Sequence, residues 1–244
     1  MPQNRRFLLL GSGEFEPWSE EPERVALDGA EPRVAILPTA SAPEGDAVFE
    51  RWGRMGLEHF RAMGWEADVV PVMTRADAER ADLAAEVERA GLVYFSGGNP
   101  KHLGSTVEGS ALWRALNAAL DRGAVYAGCS AGAMVASQSR AQARERRIGA
   151  SWTFGLGLIP HVSFGAHWDR MGKIPGMRWW VTSRIPESSW FVGIDERTAI
   201  LGDGERWTVF GRGGAMVVHR GSRSVFRAGE TFETPERSSH AHAE

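Results

Sequence analysis

Ser130 lies in the run Gly128-Cys129-Ser130-Ala131-Gly132, which fits the pattern G-x-S-x-G. A serine hydroxyl attacks a carbonyl well only when a base takes its proton and nearby N–H groups stabilise the oxyanion it creates. Small residues on either side of a serine permit a sharp turn from strand to helix that exposes the hydroxyl. The N–H of Ala131, at the start of the helix, is then a candidate oxyanion donor. The competing reading is structural, with Ser130 capping a helix packed closely through Ser-Ala-Gly-Ala. A second donor is available in Phe95-Ser96-Gly97-Gly98-Asn99-Pro100, another strand end followed by a glycine pair. Gly98 N–H is the candidate there, with Gly97 and Asn99 as candidate substrate contacts. Taken alone, that stretch also reads as an ordinary turn before a helix.

A base must come from the seven histidines. His59 falls in a helical pattern, His219 ends a strand, and His102 stands close to the glycine pair. His161 and His167 both follow the apolar run Leu156–Pro160, and spacing does not choose between them as partner of Ser130. Cys129 is the single cysteine, which excludes an internal disulfide framework and a cysteine-based zinc site.

The elements that must position these groups alternate along the first two thirds of the chain. Strands are read at Arg6–Gly11, Arg33–Ala40, Ala67–Met73, Leu92–Asn99 and Ala124–Cys129. Between them, Val48–Met63, Ala76–Gly91 and His102–Gly123 carry apolar residues at helical spacing, the last interrupted at Gly109. Continuous apolar strands alternating with helices predict a mostly parallel sheet covered on both faces, an α/β fold with ligands gathered at the carboxyl ends of the strands. Beyond Ser151 the style changes. Thr198–Gly221 has short strands around Gly-Asp-Gly-Glu and Gly-Arg-Gly-Gly turns, which read as antiparallel hairpins. No linker is evident, so residues 1–230 read as one domain. Residues 231–244 read as a loose tail, and that reading is preferred over metal binding by His240 and His242.

The 244 residues carry a net charge of −3, which argues against a nucleic-acid partner. No apolar run is long enough to span a bilayer. The run after Arg5 and Arg6 is short and is followed by acidic sequence, so a signal peptide is not expected and a cytoplasmic protein is. The Gly11-Ser12-Gly13-Glu14-Phe15 segment lacks the third glycine of a dinucleotide fingerprint and reads as a pocket wall.

Several ordered stretches together resemble one family. They are "RVAILPTASA", "VYFSGGNPKHL", "YAGCSAGAMV", "GLGLIPHVSFGAHW" and "VGIDERTAI". The chain resembles the serine peptidases of the aspartyl dipeptidase (dipeptidase E) and cyanophycinase family, over roughly Arg6 to Val218. The resemblance implies a three-layer αβα fold like that of class I glutamine amidotransferases, with the C-terminal hairpins added. It implies a Ser-His-Glu triad of Ser130, His167 and Glu196, with Gly97 and Gly98 at the oxyanion hole beside the Ala131 N–H already read from the helix start. It favours His167 over His161, and Glu196 over Asp195, which would instead hold local backbone. A small peptide substrate, no metal or organic cofactor, and a homodimer are further implications. A nucleophilic Cys129, as in the amidotransferase relatives, is not expected because Ser130 occupies the elbow.

Specificity is where the chain departs from both branches. Dipeptidase E proteins carry a Thr-Arg pair after the histidine, whereas Met177 precedes Arg178 here. Cyanophycinases carry Gln before the histidine, and this chain has Ala166. Arg170 and Arg178, with Arg184 nearby, are the candidates to bind a substrate carboxylate. The expectation is a peptidase preferring acidic, Asp-containing peptides; the alternative is a catalytically silent binding or regulatory protein on the same scaffold. Trp152, Trp168, Trp179, Trp180 and Trp190 surround the expected pocket, as core residues, substrate wall or dimer contact.

Overall fold

The computed structural model of the chain describes residues 5–138 and 155–236, so Trp152, His240 and His242 lie outside the described residues. Strands β1 (Arg6–Leu10), β2 (Arg33–Leu37), β3 (Glu66–Val69), β4 (Leu92–Phe95) and β5 (Val125–Cys129) pair in parallel in the order β1-β5-β4-β2-β3. Their side chains alternate between two apolar layers. Phe7 and Leu9 of β1 enter one layer, and Leu8 and Leu10 enter the other. Because both faces are covered, neither set can be polar, and the continuous apolar strand at Phe7–Leu10 follows. Each such buried leucine contributes about 1.5–3 kcal/mol by leaving water.

Helices α1 (Glu20–Leu27), α2 (Asp46–Ala62), α3 (Arg75–Ala78), α4 (Ala81–Glu88), α5 (Pro100–Val107), α6 (Ala111–Asp121) and α7 (Ala131–Val135) connect and cover these strands. This is the expected three-layer arrangement. Two local readings differ. The third strand stops at Val69, because Pro71 has no N–H to offer a neighbour. The helix expected over Ala76–Gly91 is two helices, since Arg80 takes an extended backbone (φ −73°, ψ 125°) between α3 and α4. Apolar spacing continues through that break, so periodicity alone does not reveal it.

The second part of the chain adds α8 (Trp168–Met171), α9 (Met177–Thr182) and strands β6 (Val162–Gly165), β7 (Trp190–Ile194), β8 (Thr198–Gly202), β9 (Arg206–Gly211), β10 (Gly214–His219), β11 (Ser222–Arg227) and β12 (Thr231–Glu233). Antiparallel β8, β9 and β12 extend the main sheet beyond β1, completing eight strands in the order β12-β9-β8-β1-β5-β4-β2-β3. The other four form a separate sheet, β11-β10-β7-β6, in which β6 and β7 run parallel. The hairpins are therefore shared between two sheets, and the chain crosses from the small one to the large one between Ile194 and Thr198.

The expected loose tail begins too early at 231. Thr231–Glu233 pairs with Arg206–Thr208, and Phe232 is buried with its ring 5.2 Å from Phe226 and 6.4 Å from Trp207. One apolar residue and a free strand edge suffice to dock the segment. Thr234 Oγ1 accepts from Trp207 Nε1 at 2.9 Å. Residues 237–244 lie outside the described residues. No helix among the described residues is long and apolar enough to cross a membrane.

Candidate active site

Three strand ends converge. β5 delivers Ser130, β6 delivers His167 two residues beyond its end, and Glu196 stands in the crossing between β7 and β8. Ser130 has φ 49° and ψ −105°, a conformation that an L-residue adopts at a cost of about 1–3 kcal/mol. Neighbouring backbone enforces it: Ser130 N donates to Leu10 O at 2.9 Å, and Met134 N donates to Ser130 O at 3.0 Å. Gly132 makes room for the turn, since a Cβ there would lie 2.1 Å from the Phe95 carbonyl oxygen.

The turn brings Ser130 Oγ 3.0 Å from His167 Nε2, and His167 Nδ1 is 2.9 Å from Glu196 Oε1. His167 also has positive φ (50°). Glu196 is held by its own backbone N–H, which donates to Asp169 Oδ1 at 2.9 Å. Arg170 Nε forms an ion pair with the same Glu196 oxygen at 2.8 Å, while the Arg170 side chain is 66% exposed. The described residues thus contain a continuous hydroxyl–imidazole–carboxylate line.

Gly98 has φ 138°, and a Cβ there would strike Ala40 O at 2.4 Å, so only glycine fits. The N–H groups of Gly98 and Ala131 have no hydrogen-bond partner among the described residues. Gly97 is different. Its N–H donates to Glu14 Oε1 at 2.8 Å. Glu14 is buried, and its second oxygen accepts from Cys129 Sγ at 2.8 Å. The sequence around Glu14 suggests a pocket wall and does not reveal this buried carboxylate. The only available signal was an acidic residue directly after an apolar strand and two glycines.

The other candidates are distributed as follows. His161 is buried and tied to the Thr234 carbonyl through Nε2 at 2.7 Å, so the structure brings His167, not His161, to Ser130. Asp195 accepts the Gly214 N–H at 3.0 Å, and burial raises its carboxyl above the usual range. Asn99 caps α5 by accepting His102 N–H at 3.0 Å. His102 turns to the Met73 carbonyl, His219 stacks on Trp190, and His59 pairs with Glu23. Arg178 sends Nε and Nη2 to the Trp168 carbonyl, at 3.1 and 2.7 Å, which anchors its guanidinium within its own segment. Arg184 lies over the Trp180 ring. Trp168 is core, packed on Phe191, whereas Trp179 and Trp180 are exposed. Burial, followed by the nearby Glu14 charge, pushes the Cys129 thiol well above its ordinary pKa, which makes it a poor nucleophile.

The chain resembles known proteins in both sequence and fold. The sequence profile of Peptidase family S51 matches residues 7–210. A cyanophycinase of Synechococcus elongatus is 28% identical over 199 residues, covering 78% of this chain but 59% of that protein. The crystal structure of a peptidase from an acI-B1 Actinobacterium superimposes with a TM-score of 0.83 at 30% identity, covering 94% of this chain and 97% of the other. A putative peptidase E protein from Listeria monocytogenes EGD-e shares the fold at a TM-score of 0.59 and 16% identity, over 85% and 98% of the two chains. With the profile spanning most of its length, the chain belongs to Peptidase family S51, a family of serine peptidases.

Proposed function

We propose that this protein hydrolyses amide bonds in small peptides through Ser130, His167 and Glu196. The observation that carries the reading is the unbroken line from Ser130 Oγ through both ring nitrogens of His167 to Glu196. His167 Nε2 takes the Ser130 proton as Oγ attacks the scissile carbonyl carbon. Glu196 fixes the ring orientation and stabilises the imidazolium. The N–H groups of Gly98 and Ala131 donate to the tetrahedral oxyanion. His167 then protonates the leaving amine, an acyl-Ser130 ester remains, and water activated by the same ring releases the acid.

A preference for acidic peptides is the finer part of the proposal. Two observations support it. Arg170 stands beside the triad carboxylate with Nε engaged and, among the described residues, no partner on its terminal nitrogens, which leaves them for a substrate carboxylate. Among the relatives are cyanophycinases. Labelling by a fluorophosphonate and turnover of Asp-X, Glu-X, β-Asp-Arg and neutral peptides test the reading, with Ser130→Ala as the control. Both signals should vanish in that variant. A folded wild type that neither labels nor turns over any peptide would favour the silent binding protein.

A further inference from the structure

We propose that Glu14 is a positioning residue for the oxyanion hole, acting through Gly97; this rests on the acyl-transfer reading above. The oxyanion loop contains two consecutive glycines, so its own sequence does not fix which way its peptide planes face. Three planes matter. The N–H of Gly97 belongs to the plane before the glycine pair, that of Gly98 to the plane within it, and that of Asn99 to the plane after it. Glu14 Oε1 holds the first by accepting Gly97 N–H at 2.8 Å. Ala40 O holds the third by accepting Asn99 N–H at 2.7 Å. With both flanking planes pinned, the middle plane is set, and its Gly98 N–H is left for the oxyanion.

The same carboxylate ties this loop to the nucleophile. Its Oε2 accepts from the Cys129 thiol, one residue before Ser130. A Cβ at Gly97 would lie 3.0 Å from Glu14 Oε1 and 3.4 Å from Ser130 Cβ, so loop, carboxylate and serine meet at one point. Glu14 is held in turn by the turn after β1, where Phe15 has a positive φ of 62° and its ring packs 4.9 Å from Tyr94 on β4. The mechanism does not otherwise need a buried carboxylate here. Burying a carboxylate is costly, and among the described residues its two oxygens are matched by two donors.

The test separates geometry from charge. Glu14→Gln removes the charge but keeps an oxygen that can accept Gly97 N–H. Glu14→Asp keeps the charge but withdraws the oxygens by one methylene. The Gln variant should keep kcat within about fivefold of wild type, while the Asp variant should lose about 100-fold in kcat with KM nearly unchanged, as for a misplaced oxyanion donor. The Ki of a peptide aldehyde, whose adduct carries the oxyanion, should rise in step with the fall in kcat. The reverse order, an Asp variant with wild-type kcat, or a loss carried by KM would overturn the proposal. The Gly97 amide proton resonance gives an arm that needs no turnover: it should stay downfield in Glu14→Gln and move upfield in Glu14→Asp. Unchanged Gly97 resonances in both variants would also overturn it. An inactive wild type with the expected shifts would instead locate the failure in the acyl-transfer reading.

Discussion

Glu196→Gln isolates the electrostatic part of the proposed mechanism. The substitution preserves size and leaves the Glu196 backbone bond to Asp169 in place. It removes the negative charge that faces the imidazolium formed during attack, at a present Nδ1 to Oε1 distance of 2.9 Å. Taking the charge centres as about 4 Å apart and an effective dielectric of about 20, that attraction is about 4 kcal/mol, or nearly 10³-fold in rate. Arg170 shares the same carboxylate oxygen at 2.8 Å. In the variant its charge is unopposed and repels the imidazolium, but its exposure lets solvent screen that contribution to under about 1 kcal/mol. The net expectation is a fall of about 10³-fold in kcat with little change in KM, measured by steady-state turnover of the best peptide at constant pH. Thermal unfolding should stay near wild type. A loss below about tenfold in a folded variant would refute the assignment of Glu196 to the imidazolium.

The remaining expectations are shorter. Ser130→Gly should be inactive yet more stable by about 1 kcal/mol in urea titrations, because glycine relieves the strain at φ 49° and ψ −105° and returns part of that gain as chain entropy; an unchanged or lowered midpoint would show that the turn is not strained. His161→Asn should cost about 1–3 kcal/mol by breaking the buried bond to Thr234 O, while kcat/KM stays within about fivefold of wild type; a catalytic loss matching that of His167→Asn would return His161 to candidacy. Arg170→Met should raise KM for Asp-X peptides by about tenfold and leave neutral peptides alone, the signature of one lost charged contact; equal effects on both would remove Arg170 from specificity.

Much of this arrangement was legible in the sequence, for identifiable reasons. Strands buried on both faces must be apolar throughout, so β1, β2, β4 and β5 stand out, and each glycine-marked strand end points to the same edge. The pattern at Gly128–Gly132 gives the elbow because sterics admit almost nothing else. What stayed hidden depends on contacts distant in sequence. Nothing local says that β6 and β7 leave the main sheet, that Phe232 docks an edge strand, or that Arg178 turns to the Trp168 carbonyl. His161 and His167 are six residues apart in similar surroundings. Only the register of β6 and the αL turn at His167 separate them. Glu14 was missed because its partners, Gly97 and Cys129, lie 83 and 115 positions away.

The site also shows where the fold stores strain. Five non-glycine residues among those described have positive φ: Phe15, Ser130, His167, Arg197 and Arg220. Two are members of the proposed triad, and two directly follow Glu14 and Glu196. Backbone of this kind persists only where the surroundings over-determine it, and it collects where side chains must be aimed rather than merely packed. Here the aiming spans two sheets. Ser130 belongs to the large sheet, while His167 follows β6 of the small sheet and Glu196 lies on the bridge between them. That bridge is fastened by Asp195 to Gly214, by Glu196 N to Asp169, and by Arg197 N to Ser12 Oγ at 3.4 Å. Asp195 and Gly214 share two hydrogen bonds and the other fastenings are one each, every bond worth about 0.5–3 kcal/mol, small beside the core, yet an error of about 1 Å in serine–imidazole distance costs far more in rate than in stability. Substitutions along Asp195–Arg197 should therefore lose activity well before they lose the fold.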